Sequence, residues 1–314
     1  MELNFKKALI TGGAGFIGSH IVDAYLHDGH DVTVVDNLSS GFEKNVPKGA
    51  NFIQTDVNSD EMDDVFRYGE FDLVNHHAAQ ISVRDSVENP IADAENNILA
   101  TIRILNLSVT HGVKHVIYIS SGGALYGEQD YFPADEKHIQ KPASPYGITK
   151  MTGEHYCRFF SKTYGLKTTR LRYANVYGPL QSPHGEAGVV AIFATKMLLK
   201  EAAYINGTGE QTRDYVYISD IVEANRLAIK KDVTGSYNIG TGSETSVNQI
   251  FDLVKKYSNS NQDPHHHDAK KGEQLRSVLS SSLFTQATGW KPTVDIEKGV
   301  ELTVDFFRGD LLHD

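Results

Sequence analysis

Residues 7–18 read KALITGGAGFIG, an apolar run that breaks into glycines at 12, 15 and 18. Residues 7–11 have the length and composition of a short buried strand. Residues 18–28 then place Ile21, Val22, Tyr25 and Leu26 at helical spacing. Each glycine has its own task. Gly12 permits a tight turn, Gly15 lets the backbone approach a pyrophosphate, and Gly18 allows close packing of helix on strand. A helix starting there aims its free N–H groups at an anion. A glycine pattern alone is weak. Set between a strand and a helix at the head of the chain, it reads as the opening of a dinucleotide-binding βαβ unit.

The alternation continues outward. Residues 31–35, 51–54, 72–75, 114–120 and 168–172 read as strands. Residues 60–68, 93–111 and 146–164 read as helices, the last two closed by Gly112 and Gly165. Strands separated by helices imply right-handed crossovers and a doubly wound parallel sheet of Rossmann type. The near-continuous apolar strands fit a sheet covered on both faces. After about Val176 the regularity fades into Gly-, Pro- and Ser-rich loops with short helices. The expectation is a cofactor-binding domain over residues 1–175, taking back part of 215–241. Residues 176–314 would form mainly a smaller α/β substrate-binding domain.

Composition sets the outer bounds. The chain has 314 residues, 40% apolar and 22% charged, enough for one large core or two interlocked ones. Thirty basic and forty acidic side chains leave a formal charge of −10, which argues against nucleic acid as a partner. No run of 18 apolar residues is present, so no membrane span is expected, and the N-terminus lacks a signal-peptide pattern. The single cysteine, Cys157, has no internal disulfide partner, and a reducing cytoplasm is the expected location.

Asp36 closes the second strand, 18 residues after Gly18. A carboxylate there accepts from the adenosine ribose hydroxyls and repels a 2′-phosphate, which favours NAD over NADP. Tyr146 and Lys150 stand four apart in PYGITK, on one face of a helix start. An ammonium beside a phenol favours phenolate, and a phenolate can take a proton from an alcohol as hydride leaves the same carbon.

TGGAGFIG, Asp36, HHAAQ, PYGITK, RYANVYGP, RDYVYISDIVEA and TGWKPTVDIEKGV together resemble the extended short-chain dehydrogenase/reductase family over nearly the whole chain. Within it the chain is most similar to nucleotide-sugar epimerases of UDP-glucose 4-epimerase type. That resemblance implies tightly held NAD, oxidation of a UDP-hexose at C4, rotation of the 4-keto sugar and return of hydride to its other face. It further implies a homodimer formed through the helices at 93–111 and 146–164. It places Gly12, Gly15, Phe16 and Ile17 at the pyrophosphate, Asp36, Asn37 and Ser39 at the adenosine ribose, and Asp56 and Val57 at the adenine. Ala78, Ala79, Gln80, Asn97, Ser120 and Tyr173 would lie along the cofactor with Tyr146 and Lys150. Asn175, Val190, Tyr204, Asn206 and Arg213 would meet the nucleotide sugar.

Several positions depart from the family pattern. Gly122 stands where relatives carry a Ser or Thr hydroxyl, and the adjacent Ser121, or a water, is the candidate to replace it. Lys270 and Glu273 occupy the places of an arginine and an aspartate, and lysine keeps the charge without the planar fork. Arg276 is a candidate for an additional phosphate contact. Ser277 replaces a bulky tyrosine, which implies room for an N-acetyl group and use of UDP-GlcNAc and UDP-GalNAc. The Thr-Asp-Glu run of a 4,6-dehydratase is absent, since Gly122, Gly123 and Ala124 stand there. A UDP-glucuronate 4-epimerase or decarboxylase, and an NAD-binding regulator, remain as rival readings. The run His265–His267 reads as a solvated loop after Pro264 and not as a metal site. Cys157 and Trp290 read as core, and His77 as either structural or cofactor-facing.

Overall fold

In the computed structural model, which describes residues 5–184, 188–269 and 274–311, seven parallel strands form one sheet flanked by helices. The first part of the chain supplies β1 (Lys7–Thr11), α1 (Phe16–His27), β2 (Asp31–Asp36), β3 (Asn51–Gln54), α2 (Glu61–Gly69), β4 (Leu73–His76), α3 (Val83–Glu88), α4 (Pro90–Ala94), α5 (Ala100–Thr110), β5 (His115–Ser121), α6 (Gly122–Tyr126), α7 (Pro145–Tyr164) and β6 (Lys167–Tyr173). The remainder supplies β7 (Asn175–Tyr177), α8 (Val189–Leu198), β8 (Tyr204–Asn206), β9 (Thr212–Arg213), β10 (Tyr215–Tyr217), α9 (Ile218–Lys230), β11 (Gly235–Ile239), β12 (Thr245–Ser246), α10 (Val247–Ser258), β13 (His265–His267), β14 (Arg276–Ser277), α11 (Ser282–Thr288) and α12 (Ile296–Asp310).

The sheet order is β11-β6-β5-β4-β1-β2-β3. The order reverses between β1 and β4, which opens a crevice at the carboxyl ends of those two strands. Strand alternation sorts the core into two layers. Ile10, Val34, Ile117 and Leu171 pack under α1 and α9, whereas Leu9, Val35, Val74, Val116 and Tyr118 pack under α2, α5 and α7. Trp290 and Cys157 are both buried, and burial pushes the Cys157 thiol up to about 12, so it stays protonated. β11 and α9 come from the second half of the chain yet complete the sheet and cover α1.

Two local readings are corrected. The helix expected over residues 93–111 begins at Pro90, capped by the Asn89 side chain, and widens into a π turn at Glu95–Leu99 before α5. The histidine run is not a loop. His265–His267 form an exposed strand in parallel register with Tyr204–Asn206, and Tyr204 stacks on His267 with centroids 4.2 Å apart.

The helix that carries Tyr146 is held by a buried ion pair. Arg172 donates from Nε and Nη2 to the two Glu154 oxygens at 2.8 and 2.7 Å, and from Nη1 to the Tyr126 hydroxyl at 2.7 Å. The Tyr126 hydroxyl donates to Asn238 Oδ1 at 2.8 Å. The network joins α7, β6, α6 and β11. Hydrogen bonds and attraction from Arg172 hold the Glu154 carboxyl below its usual range despite burial. Arg172→Leu strands that carboxylate, and the expected loss is about 3–5 kcal/mol in urea denaturation. A loss below 1 kcal/mol, on the scale of about one ordinary hydrogen bond, would contradict this account.

Candidate active site

The glycine loop folds as its spacing requires. Gly12 has φ +70°, and a Cβ there would lie 2.6 Å from Ala78 N. A Cβ on Gly18 would lie 2.2 Å from Gly12 O. Gly15 is the N-cap of α1 and provides no side-chain cap, so the first-turn N–H groups at Phe16 and Ile17 remain available to an anion. The Asp36 carboxylate accepts from Ala14 N at 3.0 Å and Leu38 N at 2.9 Å, which fixes it at the mouth of the loop. The second lone pairs of its oxygens remain for two ribose hydroxyls. These features fit a dinucleotide. A tight loop in which Gly12 and Gly18 admit no Cβ leads into a free helix N-terminus for the pyrophosphate, and an acceptor-only side chain stands for the ribose.

At the adenine end, Asn37 Nδ2 donates to Asp56 Oδ2 at 2.7 Å, and Asn37 Oδ1 accepts from Ser39 N at 3.0 Å. Asp56 Oδ1 also accepts from Asn58 N at 2.8 Å. The structure therefore brings Asn37, Ser39 and Asp56 together at the rim. Val57 is turned into the core beneath α2.

The turn after β4 is pinned from two sides. Thr11 Oγ1 lies 2.7 Å from His76 Nδ1 and accepts from Ala78 N at 3.2 Å. Asn97, brought inward by the π turn, accepts from Gln80 N at 2.9 Å and donates to Gln80 O at 3.0 Å. Ala78, Ala79 and Gln80 are thus held over the crevice. His76 and His77 are pushed down to about 3, mainly by burial and then by the Lys150 charge, so both rings are neutral. His77 Nε2 is buried without a hydrogen-bond partner.

α7 begins with Ser144 capping Gly147 N at 3.1 Å and Pro145 in the first turn, which places Tyr146 at the helix start. Gly147 and Gly153 let the helix lie against its neighbours. A Cβ on Gly147 would lie 2.4 Å from Ala124 O, and one on Gly153 would lie 2.2 Å from the Tyr118 hydroxyl. Lys150 is buried, donates to Ile119 O at 3.0 Å, and lies 5.8 Å from the centre of the Tyr146 ring. Burial lowers Lys150 to about 8, and the Asp93 charge opposes the shift. Burial raises Tyr146 to about 12, a hydrogen bond from Ser121 works against that, and Asp93 adds to it. Ser121 therefore stands beside the phenol. Ser120 is buried beside Glu154.

The missing hydroxyl at Gly122 has a packing cause. A Cβ at 122 would lie 2.4 Å from Leu279 Cδ1. Leu279 is fixed in turn by Asp214, whose buried carboxylate accepts from Leu279 N at 3.2 Å, Gly242 N at 3.1 Å and Thr241 N at 2.8 Å.

The substrate half is assembled unevenly. Asn175 is exposed at the start of β7, and its N–H donates to Asp214 O at 2.9 Å. Arg213 and Ser277 are register partners in β9 and β14, and a Cβ on Gly123 would lie 3.2 Å from Ser277 Oγ. Tyr204 and Asn206 share one face of β8. Val190 is fully buried inside α8. The guanidinium of Arg276 is bonded to Glu244 at 2.8 and 2.7 Å and lies over the Phe132 ring. Tyr173 is buried in the layer under α9, where its hydroxyl accepts from Asn225 at 2.6 Å. Lys270 and Glu273 lie outside the described residues.

Sequence reading passed over Asp93. It is buried in α4 and bonded to Gln80 and Asn97. An acid among the apolar positions of that helix was the one available signal.

The chain is similar to known proteins along nearly its whole length. Residues 8–240 match the model of the NAD dependent epimerase/dehydratase family. A UDP-glucose 4-epimerase of Mycolicibacterium smegmatis is 38% identical over 308 residues, covering 96% of this chain and 98% of that protein. A crystal structure of UDP-glucose 4-epimerase with UDP-glucose from Thermotoga maritima has a TM-score of 0.94 at 47% identity, covering 97% of this chain and 99% of that one. The Thermus thermophilus UDP-glucose 4-epimerase in complex with NAD gives 0.91 at 42% identity, covering 96% and 99%.

Burying the Lys150 charge has a stability consequence. Its value falls from 10.5 to about 8 on folding, so below pH 8 the folded chain carries a proton that the unfolded chain binds more tightly. The resulting penalty is on the order of 3 kcal/mol at neutral pH and fades as pH rises toward the unfolded value. Lys150→Met in the cofactor-free chain is expected to melt above the parent at neutral pH in calorimetry, with the gap closing in strong alkali. A variant that melts lower at neutral pH contradicts this.

Proposed function

The chain belongs to the NAD dependent epimerase/dehydratase family, and on that footing we infer that it is an isomerase, an NAD-dependent 4-epimerase of UDP-hexoses. It interconverts UDP-glucose and UDP-galactose through a transient 4-keto sugar. The observation that carries this reading is a buried Lys150 beside Tyr146 and Ser121, at the end of a crevice that starts at the Gly12–Gly18 loop.

We assign the cofactor to the glycine loop, Asp36 and the Gln80 turn. NAD held there would supply a reversible hydride acceptor for the sugar C4. The protein does the proton chemistry. Tyr146 as phenolate takes the C4 hydroxyl proton while the C4–O bond becomes a carbonyl, and gives it back in the second half. Lys150 as ammonium favours that phenolate. Ser121 stands in for the hydroxyl that Gly122 lacks, since it already hydrogen-bonds Tyr146. On the substrate side, Arg213 suits a diphosphate through its planar fork. The small Ser277 beside Gly123 supports acceptance of acetylated sugars as well.

We further propose a homodimer. Val87, Ile91, Leu99, Ile148 and Phe159 are exposed apolar side chains on helices that lie side by side over one face of the sheet. The family resemblance puts a second copy there. A cytoplasmic location accords with the lone buried thiol of Cys157. Light scattering of the purified chain is expected to give twice the monomer mass, and a monomer at all concentrations would remove the dimer.

The direct test is incubation of the purified protein with UDP-galactose and, separately, UDP-GalNAc, with no cofactor added and products read by NMR. UDP-glucose and UDP-GlcNAc are expected without net NADH release. Ser121→Ala is expected to lower kcat by roughly 10–100-fold with KM little changed. No epimer from either sugar, even with NAD supplied, would overturn the assignment.

A further inference from the structure

Asp93 is a carboxylate with 1% of its surface exposed, lying between the cofactor-facing turn and the helix of Tyr146. Its Oδ1 accepts from Gln80 Nε2 at 3.0 Å and from Asn97 Nδ2 at 2.9 Å. The same Asn97 amide reaches Thr149 Oγ1 on α7 at 3.2 Å, and the Thr149 hydroxyl is itself a neighbour of the carboxylate. The π turn directly after α4 brings Asn97 into this contact. Burying a carboxylate is costly unless donors and a cation compensate it. Here the donors are Gln80 and Asn97, both on Oδ1, and the cation is Lys150, while Oδ2 is buried without a hydrogen-bond partner.

We propose that Asp93 is a positioning residue for the Tyr146–Lys150 pair. Its carboxylate clamps the Gln80 turn to the first turns of α7 and keeps a fixed negative charge beside the Lys150 ammonium. The proposal rests on the reading of Tyr146 and Lys150 as the working proton-transfer pair.

The groups that face Lys150 come from four elements. Asp93 stands on α4, Tyr146 on the same helix, Tyr118 on β5 with its ring centre 5.3 Å away, and His76 and His77 at the end of β4. Both histidines are neutral, and burial holds the Tyr118 phenol protonated. Among the described residues, Asp93 is the carboxylate whose field reaches both Lys150 and Tyr146. That field makes Lys150 hold its proton longer and makes Tyr146 harder to ionise. Removing the charge while keeping the hydrogen bonds moves both groups the same way. Tyr146 loses its proton at lower pH, which shifts the acid limb of kcat down. Lys150 also loses its proton at lower pH, which shifts the alkaline limb down.

The test compares the holoenzyme with Asp93→Asn on UDP-galactose over the full pH range the protein tolerates. The expected result is both limbs displaced downward by about one pH unit, so that kcat falls by about tenfold on the alkaline limb. Asp93→Glu keeps the charge and is expected to leave both limbs in place. Phenolate absorbance supplies a readout that does not depend on turnover. The difference between each protein and its Tyr146→Phe counterpart isolates Tyr146, and its titration is expected at lower pH in Asp93→Asn. A lowered kcat with unmoved limbs and an unmoved Tyr146 titration would reduce Asp93 to a structural tie and overturn the proposal. Should Asn at 93 fail to fold, Asp93→Ser carries the same expectation. A parent protein that makes no epimer defeats the functional reading, while the Tyr146 titration still decides the role of Asp93.

Discussion

The backbone of Gly12 meets the backbone of Ala78, and the rest of the site is arranged around that contact. A single methyl on Gly12 would sit 2.6 Å from Ala78 N, in a residue whose φ of +70° already disfavours any side chain. The two loops therefore close on each other at the point where the strand order reverses. Thr11 bridges them through His76 and Ala78 N. Asn97 then fixes Gln80 through both backbone groups, and its contact with Thr149 carries the alignment across to α7. One backbone approach thus positions the glycine loop relative to Tyr146 and Lys150.

The charges in this region are few and buried. Lys150 has lost most of its solvent and keeps Ile119 O, the Tyr118 and Tyr146 rings, and the Asp93 field. Its ammonium is costly to the fold, which is the usual condition of a group kept for chemistry. Glu154 and Arg172, on the same helix and the adjoining strand, form the opposite case. Their pairing is bidentate and shared with Tyr126 and Ser236, so the charges are satisfied by structure alone. α7 carries both kinds of buried charge, one turn apart.

The elements legible in the sequence were those set by local chain chemistry. The glycine spacing, Asp36, and the Tyr146–Lys150 interval each state a backbone or side-chain requirement within a few residues. Even there the helix begins at Phe16 and not at Gly18, because Gly15 is the cap and Gly18 lies inside the helix against Gly12 O. What could not be read depends on partners far along the chain. Gly122 is explained only by Leu279, and Leu279 only by Asp214. His265–His267 become a strand because Tyr204–Asn206 offer an edge. Tyr173 turns to Asn225 on α9, and Arg276 turns to Glu244, because those partners are near in space and not in sequence.

The central claim is that one buried pair, Tyr146 and Lys150, moves the C4 proton while the C4 hydride never leaves the protein. UDP-galactose carrying deuterium at C4 tests this most directly. The account predicts UDP-glucose with the deuterium retained at C4, in ordinary water and without added cofactor. Loss of the label to solvent during epimerisation would contradict it, because the carbon-bound hydrogen would then exchange as a proton.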